Sequence, residues 1–165
     1  MKLEKNVLKA MNEQVNKELF SSYLYLSMSA YCVSENYPGC AKWLSVQSEE
    51  EREHAMKIYH YIHERGGRVE LETIDKPKGD FKNLSQLFTQ VLEHEQKVSA
   101  SITALYETAM KTNDYPTQIM LQWFITEQVE EEKNATEIVD LLKKVGDSPV
   151  SLMMFDRQLG ARTGK

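Results

Sequence analysis

The chain has few residues that break helices. Its 165 residues include 7 glycines and 4 prolines, a scarcity that favours long helices. Cysteine is scarcer still. Cys32 and Cys40 match no CxxC or metal-finger spacing, so both read as free thiols. No stretch of about 18 apolar residues is present to span a bilayer, and the opening Met1-Lys2-Leu3-Glu4-Lys5-Asn6 carries no apolar signal segment, so a cytoplasmic location is expected. A basic block is also missing. The formal net charge of −5 is spread along the sequence, which argues against nucleic acid or an anionic membrane as a partner and points to cations. Internal repeats and low-complexity segments are not evident. The rest is ordinary globular composition, 41% hydrophobic and 27% charged, in a length suited to one domain over residues 1–165 with a sizeable core.

Apolar residues recur at helical spacing in four long segments, with helices expected roughly over 4–33, 40–65, 84–112 and 117–145, and a short fifth over 149–159. The predicted core stripes are Leu8, Met11, Val15, Leu19 and Leu26; Cys40, Trp43, Leu44, Ala55, Ile58, Tyr61 and Ile62; Leu87, Val91, Val98, Ile102, Leu105 and Ala109; and Leu121, Phe124, Ala135, Ile138 and Leu142. Breaks fall at Asn36-Tyr37-Pro38-Gly39, Gly66-Gly67, Asn113-Asp114-Tyr115-Pro116 and Gly146-Asp147-Ser148-Pro149, with Ser148 as the N-cap of the fifth helix. The tail from Gly160 to Lys165 reads as frayed. The connection after Gly66 is far longer than a helix hairpin needs. A helix of about 26 residues is about 39 Å long, and about 18 extended residues reach about 59 Å. The connection can therefore cross the whole bundle and let the third helix run parallel to the second.

Each long helix also carries metal-competent polar residues inside its apolar arc. Glu51 and His54 form an E-x-x-H unit whose side chains project from one helical face. Glu18, Glu95, and Gln128 with Glu131 occupy the arcs of the other three, and Tyr25 lies about two turns beyond Glu18. Ionisable groups are rare in a core unless paired or bound to metal. Glu18, Glu51, Glu95 and Glu131 together carry four negative charges, and without counter-charge they would repel one another or be protonated. Two divalent cations neutralise them, which is the argument for a dinuclear site. Hard oxygen donors with one imidazole and no thiolate suit Fe or Mn, and open coordination positions for O2 or peroxide imply redox chemistry.

These residues, with Leu121-Gln122-Trp123 and the Glu127-Gln128-x-Glu130-Glu131-Glu132 run, resemble the bacterial non-haem ferritins across essentially the whole chain. The resemblance implies an all-α, ferritin-like four-helix bundle with one long crossover loop and a short fifth C-terminal helix. It implies iron storage and detoxification by a ferroxidase, with Fe2+ oxidised by O2 or H2O2 and stored as a ferric mineral inside a homo-oligomeric shell of 24 chains. Carried over residue by residue, Glu18, Glu51 and His54 hold the first iron, and Glu51 as bridge with Glu95, Gln128 and Glu131 holds the second. Glu50, Glu127 and Glu130 match a third iron position nearer the cavity, and Tyr25 matches a tyrosine beside the centre. Two roles are open to Tyr25: electron donor, or core tyrosine hydrogen-bonded to a carboxylate. Haem is not expected, because Arg52 stands where haem-binding relatives carry a methionine, and Gln128-x-x-Glu131 stands where they carry a second E-x-x-H. A soluble di-iron oxidase or peroxidase that stores nothing is the alternative reading, and a metal-free interaction bundle is the third. His60, His63 and His94 read as surface or interface residues, and Met153-Met154 as packing between subunits.

Overall fold

The computed structural model describes residues 2–162. They form α1 (Lys5–Ser34), α2 (Pro38–Glu64), α3 (Leu84–Lys111), α4 (Tyr115–Val145) and α5 (Pro149–Leu159). The fold is all-α: a four-helix bundle with a long crossover and a short fifth helix. Helices α2 and α4 each begin two residues earlier than the sequence predicts, because Pro38 and Pro116 sit inside the first turn and not ahead of it. A first-turn proline forfeits an N–H that has no helical partner in any case. Asn83 and Asp114 cap α3 and α4 by accepting from Gln86 N and Thr117 N. Ser148 departs from expectation, since its side chain makes no cap bond and its carbonyl alone accepts, from Leu152 N at 2.9 Å. At the exits from α2 and α4, Gly66 and Gly146 take positive φ of 68° and 62°, a conformation open to glycine at no steric cost.

The stripe of α1 also needs correcting. Its inward line is Val7, Met11, Val15, Glu18, Tyr25, Met28 and Cys32, while Leu26 is 52% exposed and Leu8 and Leu19 are only half-buried. Gln14, Glu18 and Ser21 interrupt the middle of the buried line with polar side chains, so a search for leucines alone drifts onto the neighbouring face.

Helices α1 and α2 form one antiparallel hairpin, α3 and α4 the other. The crossover lies along α1. Asn12 Nδ2 donates to Arg68 O at 3.1 Å and Asn12 Oδ1 accepts from Glu70 N at 3.0 Å; Asn16 repeats the pattern with Glu70 O and Glu72 N, at 3.2 and 2.9 Å. Further on, Ser27 Oγ donates to Lys78 O and the Tyr31 hydroxyl to Phe81 O. The loop thus climbs from the start of α1 to its end, so α3 sets off beside the end of α1 and runs parallel to α2.

Apolar packing falls into two clusters. One gathers Tyr25, Met28, Leu44, Leu87, Phe88, Ile138 and Phe155; the other gathers Val7, Met11, Ile58, Ile62, Ile102, Leu121 and Phe124. The polar arc residues occupy the waist between them. Helix α5 closes one end. Its Asp156 accepts from Cys40 N at 2.8 Å, and Gly39 lies so close that a Cβ there would stand 1.7 Å from Asp156 O. Lys42 Nζ donates to Gly160 O at 2.9 Å. Residues 160–162 are therefore held by α2 and not frayed; residues 163–165 of that predicted tail lie outside the described residues. Cys32 and Cys40 are free and buried, and burial pushes the Cys32 thiol up to about 12, which leaves it unreactive. No helix among the described residues is long and apolar enough to cross a membrane.

Candidate metal centre

Glu18 from α1 and Glu51 and His54 from α2 meet at the waist. One ligand atom from each lies within 4.8 Å of the others, and all three residues are buried. His54 Nδ1 is 3.6 Å from Glu51 Oε2, and the ring stacks edge-on against Trp123 and Phe124. From the other hairpin come Glu95, Gln128 and Glu131, each no more than 6% exposed. Gln128 Nε2 donates to Glu95 Oε2 at 3.2 Å and to its carbonyl at 3.3 Å. The Tyr25 hydroxyl donates to Glu95 Oε1. Both hairpins thus bring their predicted ligands to one place.

The electrostatics of the waist are those of carboxylates that need a counter-ion. Burial, reinforced by the charge of Glu51, raises Glu18 to about 8, and burial raises Glu95 to about 7 despite the bonds from Tyr25 and Gln128. Glu51 is driven well above the carboxylate range by burial and by Glu95, and burial beside Glu95 keeps the Tyr25 phenol protonated. Glu18 Oε2 and Glu51 Oε2 are fully buried and accept no hydrogen bond among the described residues. A buried carboxylate oxygen with no donor carries a desolvation penalty that a proton or a cation must offset. The oxygen-rich donor set with one imidazole fits iron.

Glu50, Glu127 and Glu130, the residues expected at a third iron position, differ in their surroundings. Glu50 and Glu127 line, with His54 and Trp123, a cleft of about 380 Å3 beside the centre. Glu130 is exposed and Glu127 half-buried, but Glu50 is only 8% exposed. Arg162, reaching back from beyond α5, pairs with Glu50 and covers it. Of the histidines set aside, His60 and His63 are exposed. His94 is half-buried: Ser21 Oγ lies 2.8 Å from its Nε2, it packs against Phe20 and Tyr25, and burial lowers it to about 4.

Sequence reasoning missed two supporting glutamines. Gln14 Nε2 donates to Glu18 Oε1 at 2.8 Å, and Gln47 Nε2 donates to Glu131 Oε2 at 2.9 Å and reaches Glu51 Oε1 at 3.4 Å. A signal was present, since each stands four residues ahead of a candidate ligand on the same helical face. A second signal is the matched spacing of the hairpins. Glu51 and His54 follow Glu18 by 33 and 36 residues, and Gln128 and Glu131 follow Glu95 by the same 33 and 36.

Comparison with known proteins agrees with this fold. A family model for the ferritin-like domain matches residues 8–145. The bacterial non-heme ferritin of Staphylococcus aureus is 40% identical over 161 residues, covering 98% of this chain and 97% of that one; that of Staphylococcus haemolyticus matches over the same shares at 40%. Among solved structures, an open pore ferritin from the hyperthermophilic archaeon Archaeoglobus fulgidus superposes with a TM-score of 0.96 at 39% identity, covering 98% of both chains. An engineered closed form of the A. fulgidus ferritin gives 0.97 at 39% identity, covering 99% of both. With its family match, its relatives, its fold and its buried carboxylate waist in agreement, the chain belongs to the ferritin family.

Proposed function

We propose that this chain is an iron-storing ferroxidase whose dinuclear centre is the polar waist of its own bundle, within a single domain spanning residues 1–165. The observation that carries the reading is the pair of buried oxygens beside His54, Glu18 Oε2 and Glu51 Oε2, that accept no hydrogen bond among the described residues. Fe2+ is substrate and cargo here. Glu18, Glu51 and His54 receive the first ion; Glu51 as bridge, with Glu95, Gln128 and Glu131, receives the second. Each Fe2+ gives one electron to O2 or H2O2, and four carboxylates favour the more highly charged Fe3+. Tyr25 holds one Glu95 oxygen and Gln128 the other, so Glu95 is fixed before metal arrives. Gln14 and Gln47 do the same for Glu18 and Glu131. Glu50, Glu127 and Glu130 take a third ion on its way to a ferric mineral, and haem has no part in the reaction.

The chain works as a self-assembled shell. Twenty-four chains of 19.1 kDa give about 460 kDa, and the shell acts in the cytoplasm without nucleic acid or membrane. Size-exclusion chromatography with light scattering and iron analysis tests the reading. Hundreds of Fe3+ retained per particle near that mass are expected. A small oligomer that turns over Fe2+ and retains only its two ions per chain would make it an oxidase that stores nothing.

A further inference from the structure

Arg162 lies beyond α5, outside every motif that carries the ferroxidase reading, yet its guanidinium reaches the edge of the centre. One Nη pairs with Glu50 Oε2, and the other donates to Gln47 Oε1 at 2.8 Å; the group also lies over the Trp43 ring, 4.5 Å from its centroid. Gln47 is 1% exposed, and its amide can face two ways. A guanidinium only donates, so Arg162 fixes Oε1 toward itself and Nε2 toward Glu131 and Glu51. Reversed, the amide would set an oxygen against two carboxylates. One side chain therefore holds a carboxylate of the proposed third position and, through Gln47, two carboxylates of the dinuclear pair.

We propose that Arg162 is a positioning residue of the centre and a tethered counter-cation at the third position, which a divalent ion must displace from Glu50 in order to bind. The inference deepens the proposed function and rests on its reading of Glu50 as a third-position ligand. Competition for one carboxylate makes third-position binding weaker than its donors alone would allow, so an ion there is loosely held and passed on. The displaced guanidinium has the Trp43 face to rest on.

The test is anaerobic Fe2+ titration by calorimetry on the assembled protein, comparing wild type with Arg162→Gln, Arg162→Lys and Glu50→Gln, with melting and assembly mass as controls. Arg162→Gln is expected to bind the third equivalent about tenfold tighter, since Glu50 is freed from a partly buried ion pair. Arg162→Lys keeps a charge but not the two-pronged fork, so its third equivalent stays close to wild type. A third equivalent in Arg162→Gln no tighter than wild type, with Glu50→Gln abolishing it, overturns the proposal and leaves the third position standing. A third equivalent indifferent to Glu50→Gln overturns both. Should Arg162→Gln fail to assemble, Arg162→Lys decides: a third equivalent as much tighter as the freed Glu50 would give shows that charge is not what competes.

Discussion

Glu18 and Glu51 meet at the waist, where neither Oε2 accepts a hydrogen bond among the described residues, and that arrangement makes the metal-free protein sensitive to pH. Glu18 sits at about 8 in the folded chain against 4.5 for an ordinary glutamate, and Glu95 at about 7. Between those limits the folded metal-free protein holds more protons than the unfolded chain, so its stability falls as pH rises from about 4.5 to about 8. Differential scanning calorimetry of metal-free samples across that interval is expected to show a declining melting temperature. Glu18→Gln keeps an acceptor for Gln14, supplies a donor toward Glu51 and removes a buried charge. Its metal-free form should melt higher than wild type by on the order of a few degrees at pH 8, with a flatter pH dependence and weaker binding of the first ion. Metal binding must also expel the protons these groups hold. Anaerobic Fe2+ addition in weak buffer should therefore release more acid at pH 6 than at pH 8, read with a pH electrode. His54→Ala removes the one imidazole of the candidate centre at a buried position. Initial Fe2+ oxidation in stopped-flow absorbance is expected to slow by on the order of 10- to 100-fold, with the assembly intact by size exclusion.

At the scale of elements, α5 is seated by contact with α2 and not by its own propensity. Gly39 is the point of closest approach, and Gly39→Ala would drive a Cβ to 1.7 Å from Asp156 O, which only movement of α5 can relieve. A cost of about 1–3 kcal/mol follows from overpacking, or about 2–4 °C in melting temperature per kcal/mol for a chain of this size. Limited proteolysis should cut first near α5 in the variant; an unchanged digestion pattern and melt would show that α5 accommodates the methyl group. The helices themselves were legible, because four runs of 3.6-residue periodicity with glycine and proline at their ends leave little else to build. The buried positions of the candidate ligands were legible for the same reason, since Glu51 and His54 interrupt a stripe that is otherwise apolar. Arg162 was not legible, because a contact spanning 112 residues has no periodic signature in the sequence. Leu26 misled because leucine reads as core wherever it falls, whereas the true line through α1 turns polar at Gln14, Glu18 and Ser21.

For the whole molecule, the waist divides what would otherwise be one core into two. Buried carboxylates without metal weaken the middle of the bundle, while each apolar cluster holds its own end. Loading with Zn2+, which binds without redox change, should raise the melting temperature by mass action. Amide exchange should slow most in the turns around Glu18, Glu51, Glu95 and Gln128, and less at the helix ends; protection spread evenly over all four helices would contradict a localised weakness. The matched spacing of 33 and 36 residues in the two hairpins has a further consequence. In that spacing only the leading glutamates, Glu18 and Glu95, correspond; Glu51 and His54 on one half answer to Gln128 and Glu131 on the other, so one half offers two carboxylates and an imidazole and the other two carboxylates and an amide. Each half thus contributes the same charge but not the same kind of atom. Two ions seated between them would meet unequal ligand fields, and would be told apart by any spectrum that senses the nitrogen.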